Sequence, residues 1–275
     1  MTVADKYQAL LARLESLGSV LVAYSGGVDS TLLAFAAHAV LGNNCAAVLA
    51  SSDTYPEREA VAARSLAKEL GFRFLEVETS ELADPRFSAN NPDRCYHCKT
   101  ELFGLLVKVA NVEGLEYVAD GANADDASDH RPGRRAGGEY GVVSPLAEVG
   151  LTKVEIRQLA HELTLPNWDK PSMACLASRF PYGEAITDSG LARVSASEEA
   201  LVALGLTQFR VRAHGTIARV EIVPSELDIA WALRSRIAEA IKVCGFSYAT
   251  IDLDGYRTGS MNEVLGVSER ETASS

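Results

Sequence analysis

Four short apolar runs dominate the first 120 residues of this 275-residue chain: 19–24 (SVLVAY), 45–50 (CAAVLA), 72–77 (FRFLEV) and 116–120 (EYVAD). Each is too short for a helix and reads as a buried parallel strand. The segments between them carry helical signals. Tyr7, Leu10, Leu11, Leu14 and Leu17 share one face over residues 4–17, which Gly18 stops. An Ala/Leu-rich stretch runs to about Leu41, Pro56 opens a helix to about Leu70, and another helix lies near 96–110. Strands that alternate with helices predict an α/β fold, with a parallel sheet covered on both faces. The hydrophobic fraction of 47% is ample for such a core and excludes a disordered or low-complexity chain.

Further along, 129–141 (DHRPGRRAGGEYG) is a Gly- and Arg-rich loop, and 152–163 is an amphipathic helix. The stretch from Asp169 to Gly183 has two prolines and no clean period, so a domain boundary is expected there, giving domains 1–168 and 169–275. The second domain reads as a smaller α+β unit. It has a helix over 187–204 and a hairpin of 208–212 and 217–223 around His214-Gly215. A helix follows from Pro224 to about Val243, then a strand at 248–253, and 268–275 reads as a frayed tail. Trp168 and Trp231 are expected in the core.

Lys+Arg number 26 and Asp+Glu 37, a net charge of −11 with a pI near 5.0. That balance disfavours duplex DNA and anionic membranes, which both select basic surfaces. No run of ~20 apolar residues is present, and Met1–Leu10 lacks a basic segment leading into an apolar core. The expected location is the cytoplasm, where thiols stay reduced. The five cysteines are then free, catalytic or metal-binding.

Ser25-Gly26-Gly27-Val28-Asp29-Ser30 lies between the first strand and the next helix. Glycines permit a tight turn, and the helix N-terminus and serine hydroxyls supply donors, so this is an anion site. It is not a Walker loop, since GxxxxGK[ST] is absent. Asp120-Gly121-Ala122-Asn123-Ala124-Asp125-Asp126 follows the fourth strand, where open α/β sheets bind ligands. Cys95-Tyr96-His97-Cys98 is a CxxC at a helix start, compatible with a metal or cluster or with thioredoxin-like redox chemistry. His97 reads as a local hydrogen-bonding residue. Cys175 sits in the irregular segment, where a reactive thiol is more plausible than a packed one, whereas Cys45 and Cys244 read as core thiols. Three thiolates, Cys95, Cys98 and Cys175, can hold a [4Fe–4S] cluster with one iron open. Arg210 and Arg212 alternate on a strand and so point to one face.

SGGVDS in this context resembles the PP-loop ATP pyrophosphatases, of adenine nucleotide alpha hydrolase-like fold. Nearly the whole chain resembles one family within them, LarE, the ATP-dependent sulfur transferases of nickel-pincer nucleotide cofactor synthesis. The most specific segments are SGGVDS, PSMACLASRFPYG (171–183), FRVRAHGTIARVEI (209–222) and LDGYRTGSMNE (253–263). The resemblance implies that a carboxylate of pyridinium-3,5-biscarboxylic acid mononucleotide is adenylated and converted to a thiocarboxylate. It implies ATP on Ser25, Gly26, Gly27, Asp29, Ser30, Asn123 and Asp125, with Mg²⁺. Arg179, Arg210, Arg212 and Arg257 would bind substrate or phosphate. Glu221 and Asp228, with Glu198 or Glu199, would form a metal site in the smaller domain. Cys175 would be catalytic. In one group of the family this cysteine surrenders its own sulfur. In another a CxxC is added and sulfide rides on a cluster, and Cys95 and Cys98 align the chain with that second group. The resemblance also implies a homohexamer and partnership with other nickel-pincer cofactor biosynthesis proteins. Two rival enzymes share parts of the pattern, a PP-loop tRNA thiolase and an amidating synthetase. A nucleotide-binding regulatory module is the non-enzyme alternative.

Overall fold

The structure, a computed structural model, describes residues 1–127 and 133–257. It divides into two compact units. Of the described residues, the first comprises Met1–Glu81 and those within Cys95–Met173, the second Leu82–Arg94 and those from Ala174 to Arg257.

The first unit is built on a four-stranded sheet: β1 (Val20–Ala23), β2 (Cys45–Ser51), β3 (Phe74–Glu78) and β4 (Tyr117–Ala119). The order is β3-β2-β1-β4 and every pairing is parallel. Alternate residues serve opposite faces. Val20 and Val22 join a core with Leu10 and Leu14 of helix Val3–Leu17, Leu32 and Leu33 of helix Val28–Leu41, and Ile156 of helix Lys153–Glu162. Leu21 and Val48 face Phe103 and Leu106 of helix Arg94–Glu113. The sheet is therefore covered on both faces, as the apolar runs require. After β1 the chain adds β2 and β3 on one side and then returns to place β4 on the other. The β1/β4 junction is thus the topological switch point, where ligands of open α/β sheets bind beyond the strand C-termini.

The second unit has helix Asp188–Ala203 and a mixed three-stranded sheet, β5 (Phe209–His214), β6 (Ile217–Ile222) and β7 (Tyr248–Ile251). β5 and β6 form the expected antiparallel hairpin around Gly215, and β7 pairs with β6 in parallel.

Several expectations are corrected. The segment expected as a loop at 129–141 contains helix Gly133–Glu139, which the Tyr96 hydroxyl anchors through Glu139 (2.8 Å) and Arg135 anchors by stacking on the Tyr96 ring (3.9 Å). The helix expected from Pro224 to Val243 is a short 3₁₀ turn followed by helices Leu227–Ala232 and Arg234–Val243. The break is at Leu233 (φ −91°, ψ 3°), and the Trp231 carbonyl there accepts from the Arg234 side chain. Trp168 and Trp231 are not core residues: they are 40% and 64% exposed. Trp168 meets His161 edge-to-face, and Arg234 lies over the Trp231 ring. Residues 258–263 of the LDGYRTGSMNE motif, and the tail 268–275, lie outside the described residues.

Candidate active site

The SGGVDS loop leaves β1 at the switch point. Gly26 has φ +62°, and a Cβ there would sit 2.7 Å from the Ala63 Cβ, so only glycine fits. The loop is pinned from within: the Ser30 hydroxyl accepts the Ser25 N–H (3.2 Å) and donates to the Gly27 carbonyl (3.1 Å). Gly27 opens helix Val28–Leu41 without any side-chain cap. The first-turn N–H groups therefore have no side chain competing with an incoming anion.

The 120–126 segment, leaving the neighbouring strand β4, meets this loop. Asn123 Nδ2 donates to Asp29 Oδ1 (3.4 Å), and Asn123 Oδ1 accepts from the Asp125 N–H (2.9 Å). Asp29, Asn123 and Asp125 are thus gathered around one end of the sheet. Sequence reading missed three further residues here. Lys153 forms an ion pair with Asp29 while its own N–H donates to Asp125 Oδ2 (2.8 Å). The capping box of Thr152 and Glu155 starts its helix at this point. Lys170 reaches the Gly26 carbonyl (3.2 Å) and Glu59 (2.8 Å), and Asn167 donates to the Gly26 carbonyl (3.1 Å) and to Thr31 (3.0 Å). Spacing gives no hint of these contacts, because the residues lie more than 120 positions downstream of the loop. Both lysines are paired with carboxylates, Lys153 with Asp29 and Lys170 with Glu59.

Cys95 and Cys98 lie at the second and fifth positions of helix Arg94–Glu113, Cys95 exposed and Cys98 half-buried. The Cys98 thiol points at the buried Glu81 carboxylate (3.9 Å), which also accepts from Thr79. Cys45 is buried, and burial pushes its thiol up to about 12, so it is inert at neutral pH. Cys244, expected in the core, is only half-buried.

In the second unit, Cys175 precedes a 3₁₀ turn, Leu176–Arg179, and is half-buried. Its carbonyl accepts from the Ser178 N–H (3.0 Å), the Ser178 hydroxyl (2.8 Å) and Arg179 (3.2 Å). Arg179 is 0% exposed. It binds Glu198 bidentately (2.9 and 3.0 Å) and the Ala174 carbonyl (2.9 Å). This deep guanidinium thus joins the Cys175 turn to Glu198. Arg212 grips the same turn through the Ser178 carbonyl (2.7 Å) and pairs with the buried Glu221 (2.7 Å), which Arg219 also binds (3.0 Å). Arg210 lies beside this group over the Tyr256 ring. Desolvation, then the charge of Arg179, pushes the Arg210 guanidinium down, an environment that favours an added anion. Arg257 faces Asp252 and Asp254 (4.0 and 3.5 Å).

The acids expected to hold a metal have other partners. Burial pushes the Glu198 carboxyl up, but the charge and hydrogen bonds of Arg179 and the Val211 N–H (3.0 Å) outweigh it and keep the group below the ordinary carboxylate range. Glu221 serves Arg212 and Arg219, and Asp228 is exposed. Among the described residues, no three His, Cys, Asp or Glu side chains form a metal-binding group. Nor is any helix there long and apolar enough to cross a membrane.

Comparison with known proteins agrees with this architecture. The NAD synthase family model matches residues 6–97, the segment from the first helix through the phosphate loop to the CxxC. An uncharacterised protein of Synechocystis is 44% identical over 95% of this chain and 98% of its own length. Pyridinium-3,5-bisthiocarboxylic acid mononucleotide synthase of Lactiplantibacillus plantarum is 38% identical over 98% of this chain and 99% of its own. One component of a glutamine-hydrolysing GMP synthase from Archaeoglobus fulgidus is 26% identical over only 54% of this chain and 52% of its own. With end-to-end likeness to the thiocarboxylate-forming synthase and a PP-loop at the switch point of its sheet, the chain belongs to the LarE family of PP-loop enzymes.

Proposed function

We propose that the protein is an ATP-dependent sulfur transferase. It adenylates a carboxylate of pyridinium-3,5-biscarboxylic acid mononucleotide and replaces the activated oxygen with sulfur, for nickel-pincer nucleotide cofactor synthesis. The observation that carries the reading is the Cys175 turn, held by two buried arginines, in a chain whose other unit bears a PP-loop. A cysteine turn whose backbone is held so firmly is more than an amidating synthetase needs, and the partial match to a GMP synthase component does not favour that rival. The acidic charge likewise disfavours a tRNA thiolase.

In this reading Ser25, Gly26, Gly27 and Ser30 cradle the β- and γ-phosphates through backbone N–H groups and hydroxyls. Asp29, Asn123 and Asp125 are the residues that would hold Mg²⁺, whose hard oxygen-ligand preference they fit. A substrate carboxylate oxygen attacks the α-phosphorus, the bond to the bridging oxygen breaks, and pyrophosphate leaves. Lys153, released from Asp29, neutralises charge on the departing group. Arg210, Arg212 and Arg257 bind the substrate phosphate, and Arg179 stays beneath the Cys175 turn as a positioning residue. A sulfur nucleophile then attacks the acyl carbon and AMP departs, leaving the thiocarboxylate. Cys95, Cys98 and Cys175 are the soft donors that would hold a [4Fe–4S] cluster, and the chemistry it would supply is delivery of sulfide. The working enzyme is proposed to be a homohexamer.

The reading is tested by anaerobic incubation with ATP, Mg²⁺, sulfide and substrate, following pyrophosphate and product mass. Pyrophosphate accompanied by sulfur in the product supports it, and pyrophosphate without sulfur overturns it. Intact mass separates the sulfur sources. A protein that loses H₂S at Cys175 is consumed, whereas an unchanged mass after many turnovers, with iron and sulfide bound, identifies the cluster route. Lys153→Met is expected to weaken ATP binding roughly 10- to 100-fold by calorimetry, the value of a charge-assisted hydrogen bond of ~1.5–3 kcal/mol. An unchanged affinity would remove Lys153 from the nucleotide site.

A further inference from the structure

The segment Asp252–Tyr256 continues along β6 after β7, interrupted by a turn. The Asp252 N–H donates to the Val220 carbonyl (2.9 Å) and the Tyr256 N–H to the Ile222 carbonyl (2.9 Å). Between these anchors Gly255 has φ +70°, and a Cβ there would stand 2.6 Å from the Ile222 oxygen. That close approach, available to glycine alone, seats the Tyr256 ring with the Arg210 guanidinium carbon 5.0 Å from its centroid. Asp252 secures the start of the segment by its ion pair with Arg219 (3.2 Å).

We propose that Tyr256 is a positioning residue for Arg210, holding the guanidinium ready to receive the phosphate of a pyridinium mononucleotide. The physical need is plain. Arg210 is only 8% exposed, and it shares its surroundings with Arg179 and Arg212. The Glu198 carboxylate also acts on it, but Glu198 is bound bidentately by Arg179, so the ring face is a further hold on the Arg210 guanidinium. The negative face of an aromatic ring attracts the cation without adding a carboxylate that would repel the incoming phosphate. A fixed planar fork also loses less freedom on binding than a mobile one. Arg210 is in turn held to its own strand through the Phe209 carbonyl (2.7 Å), so ring and backbone fix the guanidinium together.

This inference rests on the reading that Arg210 binds phosphate, and the experiment separates the two. Full-length protein is titrated calorimetrically with nicotinic acid mononucleotide, a 3-carboxypyridinium mononucleotide, as the probe. Tyr256→Phe, which keeps the ring face, is expected to bind within about twofold of the natural protein. Tyr256→Leu is expected to bind roughly 5- to 20-fold more weakly, the range of a partly desolvated cation–π contact. In an Arg210→Met background, Tyr256→Leu is expected to change affinity by less than about twofold, because the group it positions is gone. The proposal is overturned if Tyr256→Leu binds like the natural protein, if Tyr256→Phe is as weak as Tyr256→Leu, or if the leucine costs as much without Arg210 as with it. Should Arg210→Met itself bind normally, the phosphate reading fails and takes this inference with it. If the leucine variant does not fold, Tyr256→Met, closer to the ring in reach, decides on the same thresholds.

Discussion

Replacing Glu198 by alanine is expected to cost the protein ~3–5 kcal/mol of stability, the loss seen when one member of a buried ion pair is removed. Arg179, with no exposed surface, would keep its charge and lose the two hydrogen bonds that compensate it. The Val211 N–H of β5 would lose its side-chain acceptor as well. Urea unfolding at neutral pH measures the difference, and a loss under ~1 kcal/mol would show that the pair is dispensable. The same pair sets an acid limit. The folded Glu198 carboxyl lies below its unfolded value, so the contribution is complete above the unfolded pKa of ~4.3 and fades as pH falls through the lower folded value. Stability of the natural protein should therefore decline from about pH 4 downward. The Glu198→Ala variant should lack that component of the decline.

Cys175→Ala is expected to abolish sulfur transfer, by about a thousandfold or more, while pyrophosphate release with ATP and substrate continues. The reason is a division of labour. Adenylation needs positioning and charge neutralisation by the loop and its lysines, whereas the second step needs sulfur at the acyl carbon. Cys175 lies in the second unit and the PP-loop in the first, so the alanine leaves every contact described around the loop intact. Radiolabelled pyrophosphate release and thiocarboxylate mass, followed together, measure the split. Equal loss of both would show Cys175 to be needed for nucleotide binding, and retention of both would make it a bystander. The same outcome discriminates the amidating alternative, in which the thiol has no part.

Arg179 marks where reading residues along the chain reached its limit. Its place four residues after Cys175 signals an anion site just as well as a buried strut, since both uses select arginine. Only the 0% exposure and the bidentate bond to Glu198, nineteen positions on, distinguish them. The tryptophans failed for a related reason. Large aromatics are usually buried, but Trp231 keeps 64% of its surface exposed and stacks on Arg234 instead. The helix at Gly133–Glu139 was hidden because three glycines lower its intrinsic propensity, and its support is the tertiary contact of Tyr96 with Arg135 and Glu139.

What the sequence determined by itself was everything carried by short-range pattern: the parallel sheet from its apolar runs, the anion loop from SGGVDS, the β5/β6 hairpin and the CxxC. These are local because strand burial, glycine turns and helix N-termini act over a few residues. Tertiary structure alone decided which distant side chains serve the site. Lys153 and Lys170 reach the loop from more than 120 residues away, and residues 82–94 leave the first unit to join the second. It also shows that Glu198 and Arg179 form a buried ion pair. Charge and hydrogen-bond satisfaction are settled in three dimensions, where a buried group must find its partner wherever the chain happens to supply one.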